Sequence, residues 1–145
     1  MVSDQQIIYI TGCGGVVNKG LGTFLKTLDS HRIFLSVNNQ FPKLRFEYQV
    51  AVVAKLIREF YTDNTMIIAN SYGAYLCFYA LNDAPHYLSK FLLLSPVIGS
   101  ALDAQTMAYP RLPGYQRYDL AVAKKRISKP NLLVIHVGDR DAGYD

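Results

Sequence analysis

The predicted fold depends on one stretch of the chain, Met66-Ile67-Ile68-Ala69-Asn70-Ser71-Tyr72-Gly73-Ala74. An apolar run of strand length leads into a serine, and apolar residues at helical spacing follow it. Ser-x-Gly alone is weak evidence, because it occurs by chance about once in a chain of this length. Its position is more informative, because a serine at a sharp strand-to-helix turn is lifted clear of the sheet. Small residues two positions before and after it, here Ala69 and Gly73, let strand and helix approach closely.

The same turn offers a nucleophile and a hydrogen-bond donor. The backbone N–H of Tyr72 begins the helix and lies in its positive end, which suits the binding of an oxyanion. The simpler interpretation is that Ser71 is only the N-cap of that helix.

Apolar runs of similar length recur along the whole chain, and each is nearly continuous, as buried parallel strands are. They cover residues 7–11, 32–37, 65–69, 90–95 and 131–137. Between two of them, residues 46–60 carry apolar side chains at steps of three and four, which predicts an amphipathic helix. Strands that alternate with helices predict an α/β fold, with a mainly parallel sheet of about five strands and helices on both faces.

Composition and length favour one globular domain over residues 1–145. Half of the 145 residues are apolar and only 18% are charged, which excludes a disordered chain. Within that domain, the Pro- and Tyr-rich residues 96–130 are interpreted either as a cap-like excursion over the strand ends or as a plain surface loop and helix. Tyr109, Tyr115 and Tyr118 would supply an aromatic wall in the first case.

Charge and cysteine usage narrow the classes of partner. The net charge of +4 is scattered apart from a basic cluster within residues 124–129, which is interpreted as a solvated helix face rather than a nucleic-acid or lipid site. Two cysteines without metal-ligand spacing predict a reducing compartment and no metal site. The first residues lack a basic leader, and no apolar run approaches the roughly 20 residues that span a bilayer. We therefore predict a cytoplasmic protein without a nucleic-acid or membrane partner.

Three motifs resemble the α/β-hydrolase family in the order in which that family carries them. The stretch around Ser71 resembles its Gly-x-Ser-x-Gly turn, with Ala69 in place of the first glycine. Thr11-Gly12-Cys13-Gly14-Gly15 is similar to the glycine-rich turn after an early strand of that family, and the resemblance assigns the second oxyanion N–H to Cys13. A plain small hydrophobic role for the Cys13 side chain is compatible with this, because only its backbone is needed.

The third motif lies near the end of the sequence. Residues 132–141, Leu-Leu-Val-Ile-His-Val-Gly-Asp-Arg-Asp, resemble the penultimate strand of the family followed by its acidic residue. The resemblance assigns that acid, which orients the catalytic histidine, to Asp141, with Asp139 as a lesser candidate. The alternative is that both are exposed turn residues.

The expected histidine is absent from its expected place. In the family it follows the acid after a further helix and strand, whereas four residues follow Asp141. His31 and His86 are predicted to lie at the far edge of the sheet, and His136 inside a buried strand. We expect a C-terminally incomplete hydrolase fragment with little or no turnover; a natural non-catalytic derivative and a base from another molecule are the alternatives. The missing strand would leave an exposed sheet edge that invites self-association.

The implied reaction is hydrolysis of an ester, thioester or similar acyl substrate, with no metal or organic cofactor. Two rival functions stay open. One is a hydrolase-like binding or scaffold domain without chemistry. The other is an NAD(P)-dependent dehydrogenase, suggested by Gly20-Leu21-Gly22 after the first strand, although the spacing from Gly12 is long and no Tyr-x-x-x-Lys pair occurs.

Overall fold

A computed structural model describes residues 4–28, 31–82, 90–96 and 132–136. Strands and helices alternate from residue 6 to residue 94, as the apolar runs predict. The strands are β1 (Gln6–Ile10), β2 (His31–Leu35), β3 (Thr65–Asn70), β4 (Lys90–Leu94) and β5 (Leu132–His136). The helices are α1 (Leu21–Leu25), α2 (Phe46–Phe60) and α3 (Tyr72–Asn82), with a short 3₁₀ helix at Phe41–Lys43 before α2.

The five strands form one parallel sheet in the order β2-β1-β3-β4-β5. The chain therefore moves from β1 to one side to make β2, then crosses back over β1 to make β3, and continues outward to β4 and β5. An α/β fold with a mainly parallel sheet is confirmed. A change of direction of this kind creates a crevice at the carboxyl ends of the two central strands, where α/β proteins bind ligands.

Both faces of the sheet carry an apolar cluster. On one face, alternate residues of the central strands, such as Ile8, Ile10 and Ile67, pack against α2 and α3. On the other face, Ile7, Tyr9 and Ile68 pack with Leu25 of α1. Because successive strand residues point to opposite faces, the near-continuous apolar runs of β1 and β3 supply both clusters at once.

The two outer strands of the described sheet are less buried than the sequence predicts. β2 is half-buried or exposed along its length, and the four apolar residues of β5 are 44–50% exposed. These strands have a paired neighbour on one side only among the described residues. An apolar run predicts a strand but not the place of that strand in the sheet order. The prediction that every strand is buried was therefore wrong for these two strands.

No helix in the described ranges is long and apolar enough to cross a membrane. The excursion predicted for residues 96–130 lies outside the described residues, apart from Pro96.

Candidate functional site

Ser71 lies at the carboxyl end of β3, beside β1, where the strand order reverses. It follows the last residue of β3 and precedes the first residue of α3. Its N–H donates to the carbonyl oxygen of Leu94 at 2.9 Å, and its own carbonyl accepts from the N–H groups of Ala74 and Tyr75 at 3.0 and 3.3 Å. The backbone of Ser71 is therefore fixed both to β4 and to the first turn of α3.

The conformation of Ser71 is strained. Its φ is +50°, in the left-handed region where a side chain other than glycine costs about 1–2 kcal/mol. An ordinary N-cap serine has an extended backbone, and its hydroxyl accepts a hydrogen bond from the helix. Within the described residues the Ser71 hydroxyl makes no such bond. These observations argue against a pure N-cap role and support a turn that presents the hydroxyl group.

Gly73 permits the close contact that produces this turn. A Cβ atom at position 73 would lie 2.9 Å from Cγ2 and 3.0 Å from the carbonyl oxygen of Ile10, and closer still to the carbonyl oxygen of Thr11. Real Cβ atoms do not approach backbone so closely. Ala69, on the other side of the serine, is completely buried. The prediction that small residues flank the serine because strand and helix touch is consistent with this geometry.

The glycine-rich turn after β1 lies directly against Ser71. A Cβ atom on Gly12 would be 3.1 Å from Cβ of Ser71, so only a hydrogen atom of Gly12 separates the two segments. The turn is held from the side of β2: the Thr11 hydroxyl accepts from the N–H of Val37 at 2.8 Å, and the Gly14 N–H donates to the carbonyl of Val37 at 2.8 Å. The structure thus brings the turn at residues 11–15 and Ser71 together.

Cys13 and Tyr72 lie on the two sides of this contact. Cys13 is exposed, and its backbone N–H donates no hydrogen bond to any of the described residues. Tyr72 is the first residue of α3, in the turn where helical N–H groups have no acceptor within the helix and carry partial positive charge. Its side chain is 1% exposed, and the phenol donates to Oε1 of Gln49 at 3.0 Å.

Burial raises the pKa values of two side chains of α3. Burial and, to a lesser degree, negative charge on the nearby Cys13 thiolate raise the pKa of the Tyr72 phenol, the hydrogen bond to Gln49 lowers it, and the resulting pKa is about 12. The Tyr72 side chain is therefore a neutral donor near pH 7, whereas the oxyanion role assigned to this residue needs only its backbone. The second cysteine, Cys77, lies inside the core, where burial raises the pKa of its thiol to about 12.

Of the remaining candidate residues, the structure describes only His31 and His136. Asp141, Asp139 and His86 lie outside the described residues. His31 is the first residue of β2, at the amino edge of the sheet, as predicted. The expectation for His136 was wrong: it is exposed and is the last residue of β5, at the carboxyl edge. The carbonyl oxygen of His136 accepts a hydrogen bond from the N–H of Ser95 at 2.7 Å. His136 is also the register partner of Leu94, the last residue of β4.

The glycines that suggested a dehydrogenase have a different structural basis. Helix α1 has five residues and begins at Leu21, with ten residues between it and the end of β1. A Cβ atom on Gly22 would collide with the carbonyl oxygen of Val17, so packing against its own loop explains this glycine. A pyrophosphate-binding turn instead places a helix N-terminus directly after the first strand.

Sequence reasoning did not identify Gln49. This residue is 1% exposed, although it is polar, and it contacts Tyr72 across the core. A signal was present in the sequence: Gln49 lies three residues after Phe46 and four before Val53, on the apolar face of α2. A polar side chain at a core position must find hydrogen-bond partners, and that requirement marks it for attention.

A scan against protein-family models and a search of curated proteins each found no match to this sequence.

The left-handed backbone of Ser71 leads to a prediction about stability. At most positions glycine is less stable than alanine, because it loses more backbone freedom on folding. At φ +50° the order should reverse, and we expect Ser71→Gly to be more stable to urea than Ser71→Ala by about 1 kcal/mol. Equal stability, or a more stable alanine variant, would show that the turn carries no strain in solution.

Proposed function

We propose that the crevice between the ends of β1 and β3 is an acyl-transfer site of the serine hydrolase type. In it, the Ser71 hydroxyl attacks the carbonyl carbon of an ester, thioester or similar small acyl substrate, the alcohol or thiol leaves as the acyl-serine forms, and water then hydrolyses the acyl-serine to the acid and free Ser71. The observation that carries the proposal is the position of Ser71, at φ +50° between strand and helix and against Gly12. A serine hydroxyl held clear of the sheet at a strained turn is the arrangement that nucleophilic serines use.

The oxyanion of the tetrahedral intermediate would be held by two backbone N–H groups. Tyr72 offers the N–H that follows the nucleophile, and Cys13 offers one from the turn that touches Ser71. Donors fixed by the fold require no reorganisation during the reaction, and loss of one such donor costs about 100- to 1000-fold in rate. The chemistry needs no metal or organic cofactor. In the proposed site, Asp141 orients the imidazole that takes the proton from Ser71.

Proton removal is the step that the described residues support least. His31 lies at the opposite edge of the sheet. His136 is the last residue of β5, the second strand along from β3, so the ends of the two strands are about 10 Å apart at ordinary strand spacing. A general base must come within hydrogen-bond reach of the hydroxyl, directly or through one water. We therefore expect slow turnover of p-nitrophenyl esters by residues 1–145.

The distance to these imidazoles favours a second candidate function. The same crevice would then bind an acyl or carbonyl compound without chemistry, as a hydrolase-like binding domain. The two candidates differ in one property, the reactivity of the Ser71 hydroxyl.

Covalent labelling tests the proposal. The chain is incubated with a fluorophosphonate probe, and modified peptides are mapped by mass spectrometry. We expect slow labelling at Ser71 and its complete loss in Ser71→Ala, because fixed oxyanion donors stabilise the transition state even where no described imidazole reaches the hydroxyl.

Ser95 provides a matched control within the same chain. It also follows a strand of the sheet, β4, and its φ of +41° lies in the left-handed region. Pro96, which follows it, has no backbone N–H and so cannot supply the donor that Tyr72 would supply after Ser71. Ser95→Ala should leave the labelling of Ser71 unchanged. An unlabelled Ser71 in the folded chain would reject the hydrolase proposal and leave the binding domain.

A further inference from the structure

The buried contact between Tyr72 and Gln49 joins the serine turn to a distant part of the chain. Tyr72 is the residue immediately after Ser71, and Gln49 lies on α2, 23 positions earlier in the sequence. Both side chains are 1% exposed. The phenol of Tyr72 donates to Oε1 of Gln49 at 3.0 Å.

The nitrogen of the Gln49 amide also donates hydrogen bonds. Its Nε2 donates to the carbonyl oxygen of Leu44 at 2.7 Å and to that of Pro42 at 3.3 Å. Residues 42 and 44 belong to the connection between β2 and α2. An amide has two N–H donors, so Gln49 satisfies both and accepts from Tyr72 with its oxygen. The result is a continuous hydrogen-bonded chain from that connection, through Gln49, to the first residue of α3.

The ring of Tyr72 is held on a second side. It stacks on the ring of Tyr75 with 5.9 Å between centroids and an interplanar angle of 29°. The rotamer and the backbone position of Tyr72 are therefore restrained from the side of α2 and from the next turn of α3. The backbone N–H of Tyr72 is covalently attached to this restrained unit, as is the strained Ser71.

We propose that Gln49 is a positioning residue for the serine turn: through the Tyr72 phenol it holds the Tyr72 N–H and the Ser71 hydroxyl in their reactive geometry. This inference rests on the proposed function, because it needs a reactive Ser71. A purely structural role is the alternative, since any buried glutamine must satisfy its polar atoms. The two roles predict different kinetics.

The test separates binding from reaction in the labelling of Ser71. Gln49→Met keeps the length of the side chain and removes all three hydrogen bonds, and Tyr72→Phe removes only the hydroxyl. We expect each to lower the maximal labelling rate constant, kinact, by about 10-fold while the probe affinity, KI, changes little, because misplaced catalytic groups affect the reaction more than binding. The double variant should be no slower than the slower single variant, because both changes break one interaction.

A structural control comes from the same helix. Ile57 is 1% exposed and lies two turns beyond Gln49, so Ile57→Val destabilises the α2 packing without touching the hydrogen-bonded chain. All variants are compared at a temperature at which circular dichroism shows them fully folded. If kinact of Gln49→Met equals that of wild type, or if Ile57→Val slows labelling equally, the positioning role is wrong. A wild-type chain that is not labelled at Ser71 instead rejects the proposed function, so the two failures are distinguishable.

Discussion

Gly73→Ala should lower the free energy of unfolding by about 3 kcal/mol or more. In an ordinary helix this substitution stabilises by about 1 kcal/mol, because alanine is the better helix former. Here the added methyl group would press into the backbone at the end of β1, with the carbonyl oxygen of Thr11 too close for any Cβ atom and that of Ile10 in tight contact at 3.0 Å. Overpacking of a core costs about 1–3 kcal/mol when side chains can move aside, and backbone at the sheet centre yields less than side chains do. Urea unfolding followed by circular dichroism measures the change.

The same substitution should also slow labelling of Ser71. The helix can accept the methyl group only by moving away from β1, and this would separate the Tyr72 N–H from the turn that contains Cys13. Displacement of reacting groups by about 1 Å can cost roughly 100-fold in rate. Fluorophosphonate labelling of the folded fraction reports this second effect.

Gly20→Ala is the control for both measurements. Position 20 has a positive φ of +51°, unlike position 73, and a Cβ atom there would meet no atom within 4 Å. We expect Gly20→Ala to lose stability only through the backbone strain that alanine introduces there, about 1–3 kcal/mol, and to leave labelling unchanged. A Gly73→Ala variant as stable as Gly20→Ala would show that helix α3 does not lie as close to β1 as the structure places it.

The sequence predicts the local elements well because their determinants are local. The apolar spacing of residues 46–60 matches the bounds of α2, Phe46–Phe60. Each of the five apolar runs overlaps a strand of the sheet, and the bounds of run and strand differ by at most two residues. A repeat of 3.6 or an apolar run of five residues is a property of neighbouring positions, and it survives in the folded chain when no long-range interaction opposes it.

The order of strands in the sheet follows from long-range packing and could not be obtained in the same way. Nothing in the composition of β5 separates it from β3, yet β3 is central and mostly buried, whereas β5 is exposed at the edge of the described sheet. The error over His136 has this origin. Its apolar neighbours indicated a buried strand, and only the sheet order shows that it lies at an exposed carboxyl end.

The candidate site also has a part that depends on local sequence and a part that depends on long-range contacts. Ser71 and its small neighbours were predictable because the pattern spans only Ala69 to Gly73, although the backbone that Gly73 contacts, at Ile10 and Thr11, lies more than 60 residues earlier. The anchor of the turn was not, because Gln49 meets Tyr72 across 23 residues and Thr11 meets Val37 across 26. These contacts depend on which helix covers which face. The sequence shows that the polar Gln49 lies on the apolar face of α2, but it does not identify the residue that Gln49 contacts.

Cys13→Pro should slow labelling of Ser71 by about 100- to 1000-fold, which is the cost of one lost oxyanion donor. Proline removes the backbone N–H and nothing else that the role requires. That N–H donates to no other atom among the described residues, so its removal breaks no hydrogen bond that they show. The φ of Cys13 is not positive, which excludes the backbone conformation that proline could least adopt. The measurement is kinact of the fluorophosphonate, with the unfolding free energy measured on the same preparation.

Cys13→Ala completes the argument, because it removes the thiol and keeps the N–H. Alanine at this exposed position should leave both kinact and stability close to those of wild type. If Cys13→Ala loses reactivity as strongly as Cys13→Pro, then the thiol, not the backbone, serves the site. If neither variant changes kinact while both remain folded, the turn after β1 contributes no donor. The Tyr72 N–H would then bear the whole oxyanion charge, and the contact between Gly12 and Ser71 would serve packing alone.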